Sequence, residues 1–435
     1  MQVRGYYGKL NHNLLILLME HAVACGMSLT FVVGFYYYLD IFSFEPFAII
    51  PAVLLALAPV ALSVVFAYYR FTFGYFISFY LYTVVLGYIW LIPFSKLSYN
   101  HVVSGLSALA SLVGFLIPNL LIDWPAKPQI NLAHRVLNWL LAMIVTAAVV
   151  TLAAGTYYNF RLVGLADIYQ FRDQLEFPVP LRYAIGITLG ALLPFAFACS
   201  VEMRARIRAF AILFLILCFY PVTLTKTTLF APFWLGFLWW LTSRTEARAT
   251  VVLSLLLPIV LGVVLATLFT IGAISHAQFI DYFGSVNFRM IAFPSISLDV
   301  YNDFFSRHEV TRFCQISLIK SYMGCPYAEQ LPAILARDYA VGNINASLLA
   351  TEGIASVNAA LAPVSALLAG LVLSVGNHAS TRLPTRFVIL SSGILVQTLL
   401  NVPLSILLVT NGAAVTFLLW YITPRSWLSA HHGGA

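Results

Sequence analysis

The sequence predicts an all-α polytopic integral membrane protein, and three observations support this prediction. Hydrophobic residues make up 61% of the 435-residue chain and charged residues only 9%, while the mean hydropathy is +0.91. A soluble globular protein needs far more charge on its surface than this. The third observation is that apolar runs long enough to cross a bilayer follow one another along most of the chain. We therefore treat residues 1–435 as a single membrane domain.

The apolar runs predict about twelve transmembrane helices, each of roughly 17–25 residues. The first run follows an N-terminus without a small-residue cleavage site, which favours a retained helix over a signal peptide. The predicted spans are residues 14–38, 47–69, 72–94, 101–122, 135–154, 183–200, 207–224, 229–243, 250–273, 354–375, 387–402 and 404–423.

Arginine and lysine residues collect in short loops on one side of the predicted bundle. The clusters VEMRARIR and SRTEAR fall in such loops when both termini are placed in the cytoplasm, as the preference for positive charge on the cytoplasmic side requires. These loops also account for the net charge of +7. A nucleic-acid partner is therefore not needed to explain the charge, and we assign none.

Two longer segments, residues 155–182 and 274–353, interrupt the pattern on the outer side of this topology. Both interleave charged and aromatic residues. Their arginines either keep a surface loop hydrated or bind the phosphates of an anionic lipid-linked substrate. Phosphate oxygens favour the forked donors of a guanidinium group. Their aromatic rings either anchor the segments at the water–lipid boundary or stack on sugar rings. We expect the active site in the larger segment.

Four stretches in the middle of the chain resemble Wzy-type oligosaccharide repeat unit polymerases. They cover roughly residues 160 to 376, whereas the preceding helices are similar to the family only in hydropathy. The stretches are LADIYQFRDQ, LTKTTLFAPFW, FRMIAFPSISLDVYNDFF and GNINASLLATEGIASVNAALAPVSALLAGLVLSVGN.

The resemblance implies an enzyme that polymerises undecaprenyl-diphosphate-linked repeat units into O-antigen or a related surface polysaccharide. It places the reaction at the periplasmic face of a bacterial inner membrane, in a fold related to the C-type glycosyltransferases. Membrane lipids and a regulator of chain length are the further partners it implies. Arginine and lysine can balance the negative charge of the leaving diphosphate without a metal. We therefore expect a metal-independent glycosyltransferase with no cofactor.

This reaction needs a cation at the leaving diphosphate and a group that accepts the proton of the attacking hydroxyl. Arg289 is the first choice for the diphosphate contact, with an arginine reaching to the membrane interface as the alternative. Several acids and histidines of the large segment, among them Asp303, could accept the proton. Asp299 and His308 are the preferred acceptors, and the sequence does not decide between them.

Five further residues are predicted to bind substrate, each with an open alternative. Arg172 and Arg337 lie beside carboxylates and could simply form local ion pairs, Arg337 with Asp338 or Glu329. Lys226 could extend to the lipid headgroups instead of binding an anion. The predicted substrate-binding residues are Arg172, Lys226, Tyr301, Arg312 and Arg337.

Two other functions remain open at this point. An O-antigen ligase or another lipid-linked glycosyltransferase would share the chemistry but use a different acceptor. A flippase or transporter of lipid-linked oligosaccharide would place its cations in a cavity among the helices rather than in loops. The chain contains no glycine-rich phosphate loop or dinucleotide fingerprint, which argues against an ATP-driven pump and a sugar-nucleotide enzyme.

The five cysteines predict one disulfide and no zinc site. Cys314 and Cys325 both lie in the large outer segment, where an oxidising compartment would allow a bond that closes a short loop. Cys25, Cys199 and Cys218 fall within predicted spans, where cysteine packs as a small apolar residue. None of the spacings is that of a zinc site.

Overall fold

The computed structural model describes residues 11–122, 134–164, 168, 171, 175–342, 344 and 346–424. Within these ranges the regular structure is helical, apart from isolated bridge residues: Phe42 and Ser95, which pair with each other, and Tyr69. Nine helices of the described ranges are long and apolar enough to cross a membrane, which confirms an all-α, multi-pass membrane protein. They are His12–Phe35, Pro46–Tyr68, Phe73–Phe94, His101–Leu121, Arg135–Tyr158, Val179–Glu202, Arg206–Thr223, Ala247–Thr270 and Leu349–Ser380.

The remaining three predicted spans are shorter helices, so the prediction of about twelve spans is neither confirmed nor excluded. Lys226–Thr242 has 17 residues and Thr385–Leu399 has 15. The predicted span 404–423 is broken into Leu404–Val409 and Ala413–Ile422. The break occurs because Gly412 adopts a φ of +76°, a left-handed conformation that cannot continue a helix.

The chain divides into two compact units. The first consists of Met1–Ile122, Arg248–Ser374 and Leu399–Leu404, and the second of Asp123–Ala247, Val375–Thr398 and Ser405–Ala435. The centre of the first unit is the helix Phe73–Leu91, in which every residue except Trp90 is buried. A helix that is apolar on all faces is typical of such a central position.

The segment predicted as the large outer loop is largely helical. His276–Phe283 begins at a capping box in which the side chains of Ser275 and Gln278 satisfy each other's backbone N–H groups. A π-helical stretch, Gly284–Ala292, leads directly into Phe293–Arg307. We call Phe293–Arg307 the acidic helix because it carries Asp299 and Asp303.

The acidic helix is buried from Phe293 to Phe305. It packs against the central helix so closely that a Cβ on Gly87 would lie 2.3 Å from Ser295 Oγ. Ser295 Oγ also donates a hydrogen bond of 2.9 Å to the carbonyl oxygen of Val84. Asp299 and Asp303, which the sequence places in a loop, therefore lie inside the first unit.

A second anchor precedes the acidic helix. Asn287 is fully buried, and its Nδ2 donates hydrogen bonds of 2.9 Å to Ser28 Oγ and 3.1 Å to the Ile259 carbonyl. Its side chain lies directly over Gly262 of the helix Ala247–Thr270, where an added Cβ would be 1.7 Å from Asn287 Oδ1. Only glycine fits beneath this amide.

We expect Gly262→Ala to destabilise the protein by about 1–3 kcal/mol, because the added methyl group must displace Asn287 from its two acceptors. The apparent melting temperature of the purified protein in detergent measures this. Gly34→Ala is the matched control, since a Cβ at Gly34 meets no atom within 4 Å. It should leave the melting temperature unchanged or slightly raised. Equal effects of the two substitutions would contradict the assigned packing.

Candidate functional site

Two buried carboxylates, Asp299 and Asp303, lie one turn apart on the acidic helix. The spacing of four residues places them on the same helical face. That face meets the connection between the spans Phe73–Phe94 and His101–Leu121. We use the name carboxylate site for these two residues and their hydrogen-bonding partners, which are Ser95, Ser98, Tyr99, Arg307 and Tyr339.

Asp299 is completely buried and hydrogen-bonded on both oxygens. Ser95 Oγ donates to Oδ2 at 2.8 Å and the Tyr99 hydroxyl donates to Oδ1. Burial raises the pKa of this carboxyl to about 7, the two hydrogen bonds oppose the rise, and the nearby charge of Asp303 adds to it. Because its pKa lies near 7, Asp299 can bind and release a proton near neutral pH. The acidic helix that carries it is not among the candidate membrane spans.

Asp303 is buried as well, but its surroundings are different. Its Oδ2 accepts hydrogen bonds from Arg307 Nη2 and from the Tyr339 hydroxyl, the latter at 2.6 Å, and its Oδ1 accepts the Ser98 N–H at 3.0 Å. The ion pair with Arg307 balances the carboxylate charge. The side chain of Arg307 remains 58% exposed, so part of its guanidinium is open to a further anion.

Tyr99 connects Asp299 to a second tyrosine. The Tyr99 and Tyr88 hydroxyl oxygens lie 3.0 Å apart, and Asn302 Nδ2 donates to the Tyr88 hydroxyl at 3.3 Å. Burial and the charge of Asp299 raise the pKa of Tyr99 far above its ordinary value, so its phenol stays protonated and acts as a donor. Its ring packs against the His101 ring with centroids 4.2 Å apart.

A small cavity adjoins the site on the other side of Asn302. Its volume of about 10 Å³ is on the scale of a single water molecule. We call it the serine cavity because three serines of the helix His101–Leu121 line it. The lining residues are Ser104, Ser107, Ala108, Ser111, Leu298, Asn302, Leu349, Ile354 and Ala362.

The structure does not bring together the three residues predicted to be catalytic. Arg289, Asp299 and His308 follow one another along the continuous helical segment that runs from His276 to Arg307 and ends at His308, which we call the helical stack. At 1.5 Å per residue, Arg289 and His308 are roughly 28 Å apart. The Arg289 guanidinium lies 4.1 Å from the centroid of the Phe293 ring. His308 is exposed, stacks on Phe304 at 4.0 Å, and its Nδ1 lies 2.8 Å from the Phe304 carbonyl oxygen. Of the three, only Asp299 belongs to the carboxylate site.

Three of the predicted substrate-binding residues also lie in this unit. Tyr301 is 1% exposed and packs against Phe305, so it presents no ring face to a sugar. Arg312 is exposed, in a left-handed conformation with a φ of 52°. Arg337 forms ion pairs with Glu329 at 3.2 Å and Asp338 at 3.5 Å, as the alternative hypothesis for this residue expects.

Of the two other predicted substrate-binding residues, Lys226 belongs to the second unit. Lys226 is partly buried at the start of the helix Lys226–Thr242, next to the N-cap Thr225, whose Oγ1 accepts a hydrogen bond from the Thr228 N–H. The Thr223, Thr225 and Thr228 hydroxyls form a connected group beside it. Arg172 lies outside the described residues.

The predicted disulfide between Cys314 and Cys325 is confirmed. It closes the loop that follows the acidic helix. Within this loop region the Tyr327 hydroxyl donates a hydrogen bond to the Glu309 carbonyl, and its ring contacts Phe304 and Phe305. The loop is thereby held against the carboxyl-terminal turn of the helix that carries Asp303.

The described ranges contain no group of three or more His, Cys, Asp or Glu residues that could hold a metal ion. The site is built instead from carboxylates, phenols and one guanidinium. Sequence reasoning missed Ser95, Ser98, Tyr99 and Tyr339. The first three form part of the polar stretch SKLSYN between two spans, a local signal that could have pointed to them, whereas nothing near Tyr339 indicates its contact with Asp303.

No protein-family model, curated protein or solved structure matches this chain.

We expect the stability of the protein to fall as the pH rises from about 4 to about 7, because the Asp299 carboxyl ionises in the unfolded chain over this range while the fold keeps it protonated. In the unfolded chain this carboxyl has an ordinary pKa of 3.8, so between about pH 4 and pH 7 the folded state holds the proton more tightly. Its contribution to stability is complete below the unfolded pKa and is lost above the folded pKa. Asp299→Asn should therefore exceed the wild type in melting temperature by more at about pH 8 than at about pH 5, where only part of the contribution is lost.

The matched control for this experiment is Glu45→Gln, which neutralises an exposed carboxylate in a connection between two helices. Its melting temperature should follow that of the wild type at both pH values. If Asp299→Asn differed from the wild type equally at both, the raised pKa of Asp299 would be refuted.

Three of the five cysteines should react with a maleimide when the protein is unfolded without reductant, and all five after reduction. Cys314 and Cys325 are protected by their bond, whereas Cys25, Cys199 and Cys218 are free thiols. Mass spectrometry of protein from cells quenched with alkylating agent counts the labels. In the control Cys314→Ser, four cysteines should react without reductant. Five labels on the unreduced wild type would show that the bond does not form in the cell.

Proposed function

We propose that this protein polymerises undecaprenyl-diphosphate-linked oligosaccharide repeat units by glycosyl transfer. The observation that carries the proposal is Asp299, a buried carboxylate with a pKa of about 7 beside a second carboxylate that is paired with an arginine. A general base works best when its pKa lies near the pH of the reaction. Two carboxylates in different surroundings are typical of sites that divide acid–base chemistry between them.

In the proposed step, a hydroxyl of one lipid-linked unit attacks the anomeric carbon of the other. The bond between that carbon and the diphosphate oxygen breaks, and its electron pair leaves with the lipid diphosphate. Asp299 is fully buried, so it receives the proton through Tyr99, which is partly exposed. The Tyr99 hydroxyl accepts the proton of the attacking hydroxyl while it passes its own to Asp299.

Arg307 is the cation that best fits the leaving diphosphate. It lies two turns beyond Asp299 on the same helix, and one of its nitrogens binds Asp303 and Tyr339. The exposed remainder of the guanidinium can donate to phosphate oxygens. Arg307 thereby replaces Arg289, which the sequence alone favours, as the first choice for the contact with the leaving diphosphate.

Arg289 retains a place in this proposal as a contact for the second substrate. The acceptor reacts at the end of its oligosaccharide that is remote from its own lipid diphosphate. A cation for that diphosphate is therefore needed some distance from the reacting atoms. Arg289 lies roughly 27 Å from Arg307 along the helical stack and has its guanidinium partly exposed above Phe293.

The proposal places the protein in a bacterial inner membrane with both termini in the cytoplasm and residues 274–353 at the periplasmic face. The disulfide between Cys314 and Cys325 supports this orientation, because such bonds persist in oxidising compartments. The relation to C-type glycosyltransferases, the number of spans and a partner that regulates chain length belong to the same proposal. An O-antigen ligase would use the same site with a different acceptor.

A transporter of lipid-linked oligosaccharide is the second candidate, and the complete burial of Asp299 favours it. A carboxylate inside a helical bundle that binds protons near neutral pH is also what proton-coupled transport requires. A transporter would move the substrate unchanged, whereas a polymerase lengthens it. The product therefore separates the two functions.

We expect purified protein to convert synthetic undecaprenyl-diphosphate-linked repeat units into a ladder of lipid-linked oligomers, with a rate that rises as Asp299 ionises near pH 7. Asp299→Asn should lower the rate at least about a hundredfold, because the base is lost. Arg307→Ala should lower it by a similar factor, and Arg307→Lys should restore only part of it because a lysine cannot form the forked contact. Gel separation of the labelled products measures the ladder.

The matched control is again Glu45→Gln, which should retain the wild-type rate. A ladder that survives Asp299→Asn would remove Asp299 as the base and leave the polymerase function standing. Absence of a ladder, together with movement of unchanged substrate across vesicles, would replace the polymerase by the transporter. Transfer only to a lipid A core acceptor would identify a ligase.

A further inference from the structure

Lys96 lies in the connection that supplies three residues of the carboxylate site. It directly follows Ser95, whose Oγ donates to Asp299. It lies two residues before Ser98, whose N–H donates to Asp303. Two residues of chain span at most about 7 Å. The backbone of Lys96 is therefore adjacent to the groups that bind both carboxylates.

The backbone of this connection determines where Lys96 points. The Lys96 N–H donates to the Ile41 carbonyl at 2.9 Å, and Phe42 and Ser95 pair as an antiparallel bridge. Successive side chains of an extended chain point to opposite sides. Because Ser95 points inward to Asp299, Lys96 points outward, and its side chain is 44% exposed. Lys96 thus presents its charge to solvent at the edge of the site.

The ion pair of Lys96 can be exchanged easily. Its Nζ lies 2.6 Å from Asp40 Oδ1, and the Asp40 side chain is 89% exposed. The hydrogen bond and the charge of Lys96 lower the pKa of the Asp40 carboxyl, so this group is ionised at neutral pH. Ion pairs between exposed side chains gain little from their attraction, because water solvates both charges well. A ligand with more negative charge than one carboxylate can therefore replace Asp40.

Arg307 differs from Lys96 in this respect. The side chain of its partner Asp303 is only 1% exposed, so separation of that pair would leave a buried charge without its cation. Arg307 can therefore offer a ligand only the part of its guanidinium that Asp303 does not use. A diphosphate carries more than one negative charge on two phosphoryl groups, and a second cation that is free to turn would complete its binding.

We propose that Lys96 binds the diphosphate of a lipid-linked substrate together with Arg307, and that the ligand displaces Asp40 from Lys96. This inference rests on the proposed function, from which it takes the lipid diphosphate as the ligand. Binding precedes any transfer of sugar, so the site can be detected with or without polymerisation. No covalent bond changes in this step.

Binding of undecaprenyl diphosphate to the full-length protein in phosphatidylcholine nanodiscs tests the proposal, with microscale thermophoresis as the measurement. We expect Lys96→Met to weaken binding at least about fivefold, because it removes the charge and keeps the aliphatic stem. Lys96→Arg should bind within about twofold of the wild type, because either cation can contact a phosphate. Asp40→Asn should strengthen binding about threefold, because the competing carboxylate is lost. Asparagine tolerates the left-handed φ of 53° at this position.

The double substitution separates the loss of a competitor from a general loss of negative charge. In the background of Lys96→Met, the further change Asp40→Asn should alter the dissociation constant by less than about twofold, because the carboxylate then has no lysine to occupy. A gain as large as in the wild type would overturn the competition between Asp40 and the ligand.

Lys320→Met is the matched control, because it removes an exposed lysine from the helix Ser317–Met323. It should leave the dissociation constant unchanged. Phosphatidylglycerol added to the nanodiscs should not displace undecaprenyl diphosphate, whereas inorganic diphosphate should. Displacement by phosphatidylglycerol would reduce the site to a contact with lipid headgroups and overturn the proposal.

The failure of this proposal can be told apart from the failure of the proposed function. Wild-type affinity in Lys96→Met would overturn the role of Lys96 even if the polymerase assay yields a ladder. The expected binding without a ladder would remove glycosyl transfer and leave the diphosphate site standing. Failure of the wild-type protein to bind undecaprenyl diphosphate would overturn the ligand itself.

Discussion

The burial of Asp299 and Asp303 is the constraint on which the site depends. Placing two carboxylates inside a protein is costly unless each is hydrogen-bonded or paired. The protein meets this cost unequally, with the Arg307 cation and two further donors on Asp303 and only two neutral hydroxyls on Asp299. This inequality pairs one carboxylate with Arg307 and leaves the other, Asp299, to exchange protons.

Hydropathy was sufficient to predict the class of the protein and most of its helices. The apolar runs begin and end close to the observed spans because hydrocarbon thickness limits helix length. The same reasoning failed for the acidic helix, because its Asp299, Asn302 and Asp303 mark it as polar although it is buried. Its burial follows from tertiary contacts with the central helix, which no local pattern encodes.

The site was predicted only in part for a related reason. Asp299 was among the preferred residues because its residue type and segment suited the chemistry. Its partners Ser95 and Tyr99 lie about 200 residues earlier in the chain, and only the packing of separate helices brings them to it. Arg289 and His308 were predicted from the same outer segment as Asp299, yet residues of one helical segment are separated along its axis.

The two anchors on the helical stack have a consequence for how this stretch can vary. Asn287 is fixed over Gly262 and Ser295 is fixed against Gly87, so the angular position of every residue between and after them is set. One residue inserted or deleted between Ser295 and Asp299 would turn both carboxylates by about 100° around the helix axis and move Asp299 away from Tyr99. The number of residues between the anchors and the carboxylates therefore matters to the site as much as the identity of their side chains.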